Sequence, residues 1–148
     1  MKFVQKVRVK LEKCGRVQEN SIISNAKDAA EIAYKFIDSS DREILGVMCL
    51  NTKNEVVNIC MVSMGSLNSS IAHPREIFKT AILSNAKSII IFHNHPSGNC
   101  EASRQDIQVS KRIKEAGFIL GIELLDSIII GTSIEEDKYL SLKQQDII

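Results

Sequence analysis

The sequence predicts an α/β fold, a mixed sheet flanked by helices, and three observations carry that prediction. Apolar stripes of helical period alternate along the chain with short apolar runs of strand length. Two of those runs are separated only by the polar stretch Asn51-Thr52-Lys53-Asn54, too short for a crossover, so part of the sheet is antiparallel. A third run, Ile89-Ile90-Ile91-Phe92, shows no alternation, as expected of a central strand covered on both faces. A chain of 148 residues can bury about 70% of its unfolded surface in one core. No repeat, linker or low-complexity tract divides it, so one domain over 1–148 is expected.

Taken in order, Val7, Val9 and Leu11 alternate with Arg8 and Lys10, the period-2 pattern of an edge strand with one wet face. Cys14-Gly15 marks a turn. Ser24-Asn25 then precede a helix over 26–37, with Ala29, Ala30, Ala33, Phe36 and Ile37 on one stripe. Strands over 44–50 and 56–62 form the hairpin. The stretch 65–72 is small, polar and irregular. Pro74 suits a first helical turn, and Ile77, Phe78, Ala81 and Ile82 supply the stripe behind it, closed by Asn85-Ala86-Lys87. After the central strand and the loop 96–102, a helix is expected over 103–116, stopped by Gly117. Further strands are expected over 119–125 and 127–130, with a short one over 139–142.

Composition removes several function classes. Lys plus Arg number 19 against 18 for Asp plus Glu, a formal net charge of +1, so no overall field attracts nucleic acid or an anionic membrane. No apolar stretch approaches the ~20 residues that cross a bilayer, and residues 1–13 lack the apolar core of a secretory signal. A cytoplasmic protein is expected. Cys14, Cys49, Cys60 and Cys100 form no C-x-x-C pair, which fits free thiols in a reducing compartment.

The chemistry concentrates where the central strand ends. Two of the chain's three histidines, His93 and His95, stand two apart, so in a strand they share a face and can converge on one ion. After seven intervening residues comes Ser103-x-x-Asp106. Those two residues read as a capping box, Ser103 at the N-cap and Asp106 at N3, which accounts for both without a metal. Equally, two histidines and an aspartate are the open ligand set of catalytic zinc, which leaves a fourth position for water.

The spacing His93-x-His95-x7-Ser103-x-x-Asp106 resembles the JAMM motif of JAB/MPN-type zinc metalloproteases. Gly65-Ser66-Leu67-Asn68, His73-Pro74-Arg75-Glu76, His93-Asn94-His95-Pro96-Ser97-Gly98 and Gly121-Ile122-x-Leu124-Leu125-Asp126 are similar to the RadC-like branch, over roughly 23–142. The resemblance implies a JAB/MPN-like, cytidine-deaminase-like three-layer architecture and one Zn²⁺ per chain, held by His93, His95 and Asp106. Glu43 matches the upstream glutamate that serves as general base, and Ser103 the serine that steadies the oxyanion. The implied activity is hydrolysis of a peptide or isopeptide bond in an unspecified peptide or protein.

Glu76 is the rival base, although it also suits the acidic first turn of a helix, and His73 is a rim or flanking residue; both stay outside the catalytic set. Cys100 is read as a bystander, since a thiolate in the fourth position would displace the water. Ser127 stands where the family usually has histidine. Longer members carry an N-terminal helix-hairpin-helix region, which is not expected in a chain of this length. The alternatives are a nucleic-acid-acting, DNA-repair-associated RadC-like protein and a non-catalytic interaction module. An HNH nuclease spreads its letters over a ββα element, and a zinc deaminase needs a P-C-x-x-C partner that is missing here.

Overall fold

A computed structural model describes residues 1–17, 21–38, 40–65, 72–131, 133 and 138–148. Its elements run α1 (Ala26–Ile37), β1 (Ile44–Leu50), β2 (Val56–Met64), α2 (Pro74–Leu83), β3 (Ser88–Asn94), α3 (Arg104–Leu120), β4 (Glu123–Ile130) and β5 (Tyr139–Ser141). The five strands form one mixed sheet in the order β2-β1-β3-β4-β5, in which only β3 and β4 run parallel.

The expected central strand is central. Every residue of β3 is buried because its two faces belong to two cores. Ile89 and Ile91 pack with Val47 under α2 and α3, through Ile77, Phe78, Val109 and Ile113. Ile90 and Phe92 pack with Met48 and Ile128 against α1, through Ala29, Ala30, Ile32 and Ala33. Burying each such aliphatic or aromatic side chain contributes about 1.5–3 kcal/mol. The result is a helix–sheet–helix stack of three layers.

Local chemistry sets the helix starts. Asn25 caps α1 with Asp28 in a capping box, and Pro74 occupies the first turn of α2 behind the His73 cap. Phe36 of α1 is partly buried, and its ring meets Phe92 edge-on at 5.6 Å between centroids. Ile32, absent from the expected stripe, is buried, whereas Ile82 of α2 is exposed.

Three expectations need correction. Residues 1–17 form no helix or strand; Val7 and Val9 are 77% and 70% exposed, because alternation signals a strand only where an edge offers it partners. Gly117 does not stop α3, which continues to Leu120 and ends at Gly121, whose φ of 70° is the left-handed C-cap. Gly117 serves a close approach instead: a Cβ there would lie 2.3 Å from the Ile122 carbonyl oxygen. The expected strand over 119–125 therefore begins only at Glu123, and β4 runs unbroken to Ile130, with Phe118 left 89% exposed on the helix end. The loop expected over 65–72 falls largely on 66–71, outside the described residues.

Candidate metal centre

Strand β3 delivers both histidines. His93 is its penultimate residue, paired with Leu45 of β1 and Ile129 of β4, and is buried. The His95 N–H still donates to the Ile130 carbonyl at 2.8 Å, so the second histidine rides on the end of the β3–β4 ladder. The chain then turns, with the Gly98 N–H donating to the His95 carbonyl at 2.9 Å. The turn rests on Gly131, where a Cβ would lie 2.7 Å from the Gly98 oxygen.

Helix α3 brings Asp106 back. The Ser103 Oγ accepts from the Asp106 N–H at 3.0 Å, and Asp106 Oδ2 accepts from the Ser103 N–H at 2.8 Å. This is the expected capping box, and the same carboxylate also faces both imidazoles. Asp106 Oδ1 lies 3.0 Å from His93 Nε2, and Oδ2 lies 3.2 Å from His95 Nε2. The two readings of Ser103-x-x-Asp106 are thus one structure.

The donor set fits a cation. His95 Nδ1 lies 2.7 Å from the Asn99 carbonyl, a contact that only an Nδ1–H can make. A neutral His95 then directs the Nε2 lone pair toward His93 Nε2, 3.2 Å away, and toward the Asp106 carboxylate. Facing lone pairs need a proton or a metal ion between them. One ligand atom from each of His93, His95 and Asp106 lies within 4.8 Å of the others, the group of described residues that could hold a metal ion. Electrostatics agree. Hydrogen bonding to Asp106 pushes His95 up from its ordinary value, against burial. Burial raises Asp106, but the hydrogen bonds to His93 and His95 outweigh it and hold its carboxyl well below the usual carboxylate range.

An open cleft of about 320 Å³ adjoins the ligands, lined by Glu43, His95, Pro96, Ser97, Ser103, Gln105 and Asp106. Glu43, half-buried just before β1, is therefore beside the site, and its charge acts on His95. Four of the five residues singled out in the sequence, Glu43, His95, Ser103 and Asp106, line this cleft, and the fifth, His93, joins them through the ligand group. Ser97 and Gln105 line the cleft without having been singled out, since loop and exposed-helix polar residues carry no periodic signal. The Asn94 carboxamide, also overlooked, binds Arg42 and Ile44 on either side of Glu43.

The bystanders stay aside. His73 caps α2, its Nδ1 accepting from the Arg75 N–H at 3.2 Å, and Glu76 pairs with Lys79 at 2.7 Å. Cys100 lines a neighbouring recess with Ile107, Leu140 and Ile147 and does not join the ligand group. Ser127 is buried below the site, where it accepts a hydrogen bond from the Ser110 hydroxyl at 2.8 Å. With serine at that position, His93, His95 and Asp106 still converge.

A family profile described as "RadC-like JAB domain" matches residues 23–147. A UPF0758 protein of Clostridium tetani is 54% identical over 130 residues, 88% of this chain and 55% of its own length. One from Clostridium beijerinckii is 51% identical over 126 residues, 85% and 53% of the two chains. One from Desulfitobacterium hafniense is 46% identical over 127 residues, 86% and 54%. The chain spans about half the length of the curated relatives it matches. Among the described residues, no helix is long and apolar enough to cross a membrane.

Proposed function

Because the chain belongs to the RadC-like JAB domain family, we propose that it is a zinc-dependent hydrolase acting on a peptide or isopeptide bond. The observation that carries this reading is the convergence of His93, His95 and Asp106 beside a cleft that also holds Glu43. Zinc held by those three side chains would bring the pKa of a coordinated water to about 7 and polarise a carbonyl.

The chain's own residues do the rest. Glu43 takes the proton of the attacking water and returns it to the leaving nitrogen. Asp106 supplies one negative charge against two neutral imidazoles, leaving the bound site cationic and receptive to a carbonyl oxygen. The Ser103 hydroxyl accepts from the Asp106 N–H and keeps its own proton for the developing oxyanion. One such donor is worth about 2.7–4 kcal/mol. The cleft's lining of Ser97, Gln105 and Pro96 suits an extended polar main chain better than an apolar ligand.

Two measurements test this. Zinc per chain is expected near one in wild type and near zero in His95→Ala and Asp106→Ala. Hydrolysis of a fluorogenic peptide library is expected to collapse in Glu43→Gln while zinc stays bound. Equal behaviour of Glu43→Gln and wild type would instead make the domain an interaction module.

A further inference from the structure

The antiparallel ladder between β1 and β3 ends at Leu45 and His93. Beyond that pair the strands part: Asn94 keeps its pairing with Ile130 of β4, and the cleft opens between Glu43 and His95. The Asn94 side chain bridges the parting. Its Oδ1 accepts from the Ile44 N–H at 2.6 Å, and its Nδ2 donates to the Arg42 carbonyl at 2.9 Å. Those groups lie immediately after and immediately before Glu43, and Asn94 is itself buried.

We propose that Asn94 is a positioning residue for Glu43, aiming its carboxylate at the metal centre by gripping the main chain on both sides of it. This rests on the reading of Glu43 as the base. The carboxamide suits the task because it carries one acceptor and one donor, and the two peptide groups need one of each. Aspartate would set an oxygen against the Arg42 carbonyl, and serine or threonine is too short to reach both groups. Alternation along β3 places His93 and His95 on one face and Asn94 on the other. Three consecutive residues thus set two ligands and the base as one unit, at a site where a misplacement of about 1 Å costs about 10²-fold in rate.

The test uses amide hydrogen exchange on metal-free protein and the visible absorption of Co²⁺-loaded protein. In Asn94→Ala the Ile44 amide is expected to exchange about tenfold faster, the effect of one lost hydrogen bond. Co²⁺ is expected to bind one per chain, with its spectrum moved to that of Glu43→Gln. The double variant Asn94→Ala/Glu43→Gln is expected to match Glu43→Gln alone. A wild-type Co²⁺ spectrum in Asn94→Ala, or a further change in the double variant, would overturn the proposal. Should Asn94→Ala not fold, Asn94→Asp is measured in the same way. A wild type that binds no Co²⁺ overturns the metal reading and this proposal together, and is told apart from failure of the clamp alone because exchange at Ile44 needs no metal.

Discussion

Asp106 and Asp126 are both buried, 5% and 7% exposed, yet their surroundings drive the two carboxyls in opposite directions. Burial raises both. Around Asp106 the hydrogen bonds from two imidazoles reverse that effect. Around Asp126 the partners are neutral: the Ser141 hydroxyl at 2.5 Å and the N–H groups of Ser127 and Lys143 at 2.7 and 3.2 Å. They do not offset burial, and Asp126 stays above its ordinary value. Dipoles suffice to tie β4 to β5 through a carboxyl. Holding an ionised carboxylate in the interior takes hydrogen-bonding groups that can bear positive charge, as the imidazoles at the end of β3 do, whereas the charge of Lys143 is the weakest of the influences on Asp126.

The strongest way to break this contrast is to remove each carboxylate in turn. Asp106→Ala is expected to lower metal affinity by more than about 10²-fold, beyond the cost of losing a partner one shell further out. Asp126→Asn is expected to leave affinity within about twofold, since an amide can still accept from Ser127 and Lys143 and donate to Ser141. Calorimetric titration with Zn²⁺ decides. Equal losses in the two variants would mean that the buried polar network below α3, and not the imidazole–carboxylate cluster, governs the site.

A second contrast lies in pH. Asp126, raised in the fold, contributes stability that is fully present below its unfolded pKa of about 3.9 and is lost as pH climbs through its folded value. His95, raised by Asp106, behaves alike, from about 6.5 upward. Asp106, lowered, contributes stability that is present above about 3.9 and lost as pH falls toward its folded value. Metal-free protein is therefore expected to melt higher at pH 5 than at pH 8, and lower again below pH 4. Asp126→Asn should shrink the first change to the share of His95 and spare the second. The differences amount to a few degrees, because about 1 kcal/mol moves Tm by about 2–4 °C at this size. Calorimetric melting across that pH range checks both signs.

The same two aspartates show what a sequence can disclose. Asp106 was legible because its contacts are local or periodic: a cap three residues back, and two histidines spaced to share a strand face. The network of Asp126 joins residues 15 to 17 positions apart, and nothing in the local pattern announces Ser110, Ser141 or Lys143 as neighbours. Helix α1 was legible to the residue because Asn25 and Asp28 start it with a capping box. The role of Gly117 is ambiguous in the sequence, because glycine marks a helix end and a close approach equally well, and only the Ile122 carbonyl beside it distinguishes them. Val7 to Leu11 failed for a related reason: alternation describes one strand and says nothing of the edge it needs. The role of Asn94 is not legible in the sequence, because its partners, Arg42 and Ile44, are some fifty residues away.

The smallest expected effect on stability concerns Ser103, whose hydroxyl has two separable tasks. As N-cap it accepts from the Asp106 N–H, and Ser103→Ala should cost about 1 kcal/mol of stability. The main-chain N–H of residue 103 still donates to Asp106 Oδ2 in that variant, so zinc affinity should move little. Asparagine at 103 restores the cap, because its oxygen accepts as the hydroxyl did, but replaces the hydroxyl donor beside the cleft with a carboxamide. Urea unfolding is therefore expected to place Ser103→Asn with wild type and Ser103→Ala below it. Peptide hydrolysis should fall in both and survive in Ser103→Thr, which keeps cap and donor together. Activity that tracks stability across the three variants would reduce Ser103 to a helix cap and leave Glu43 with the metal ligands as the whole of the machinery.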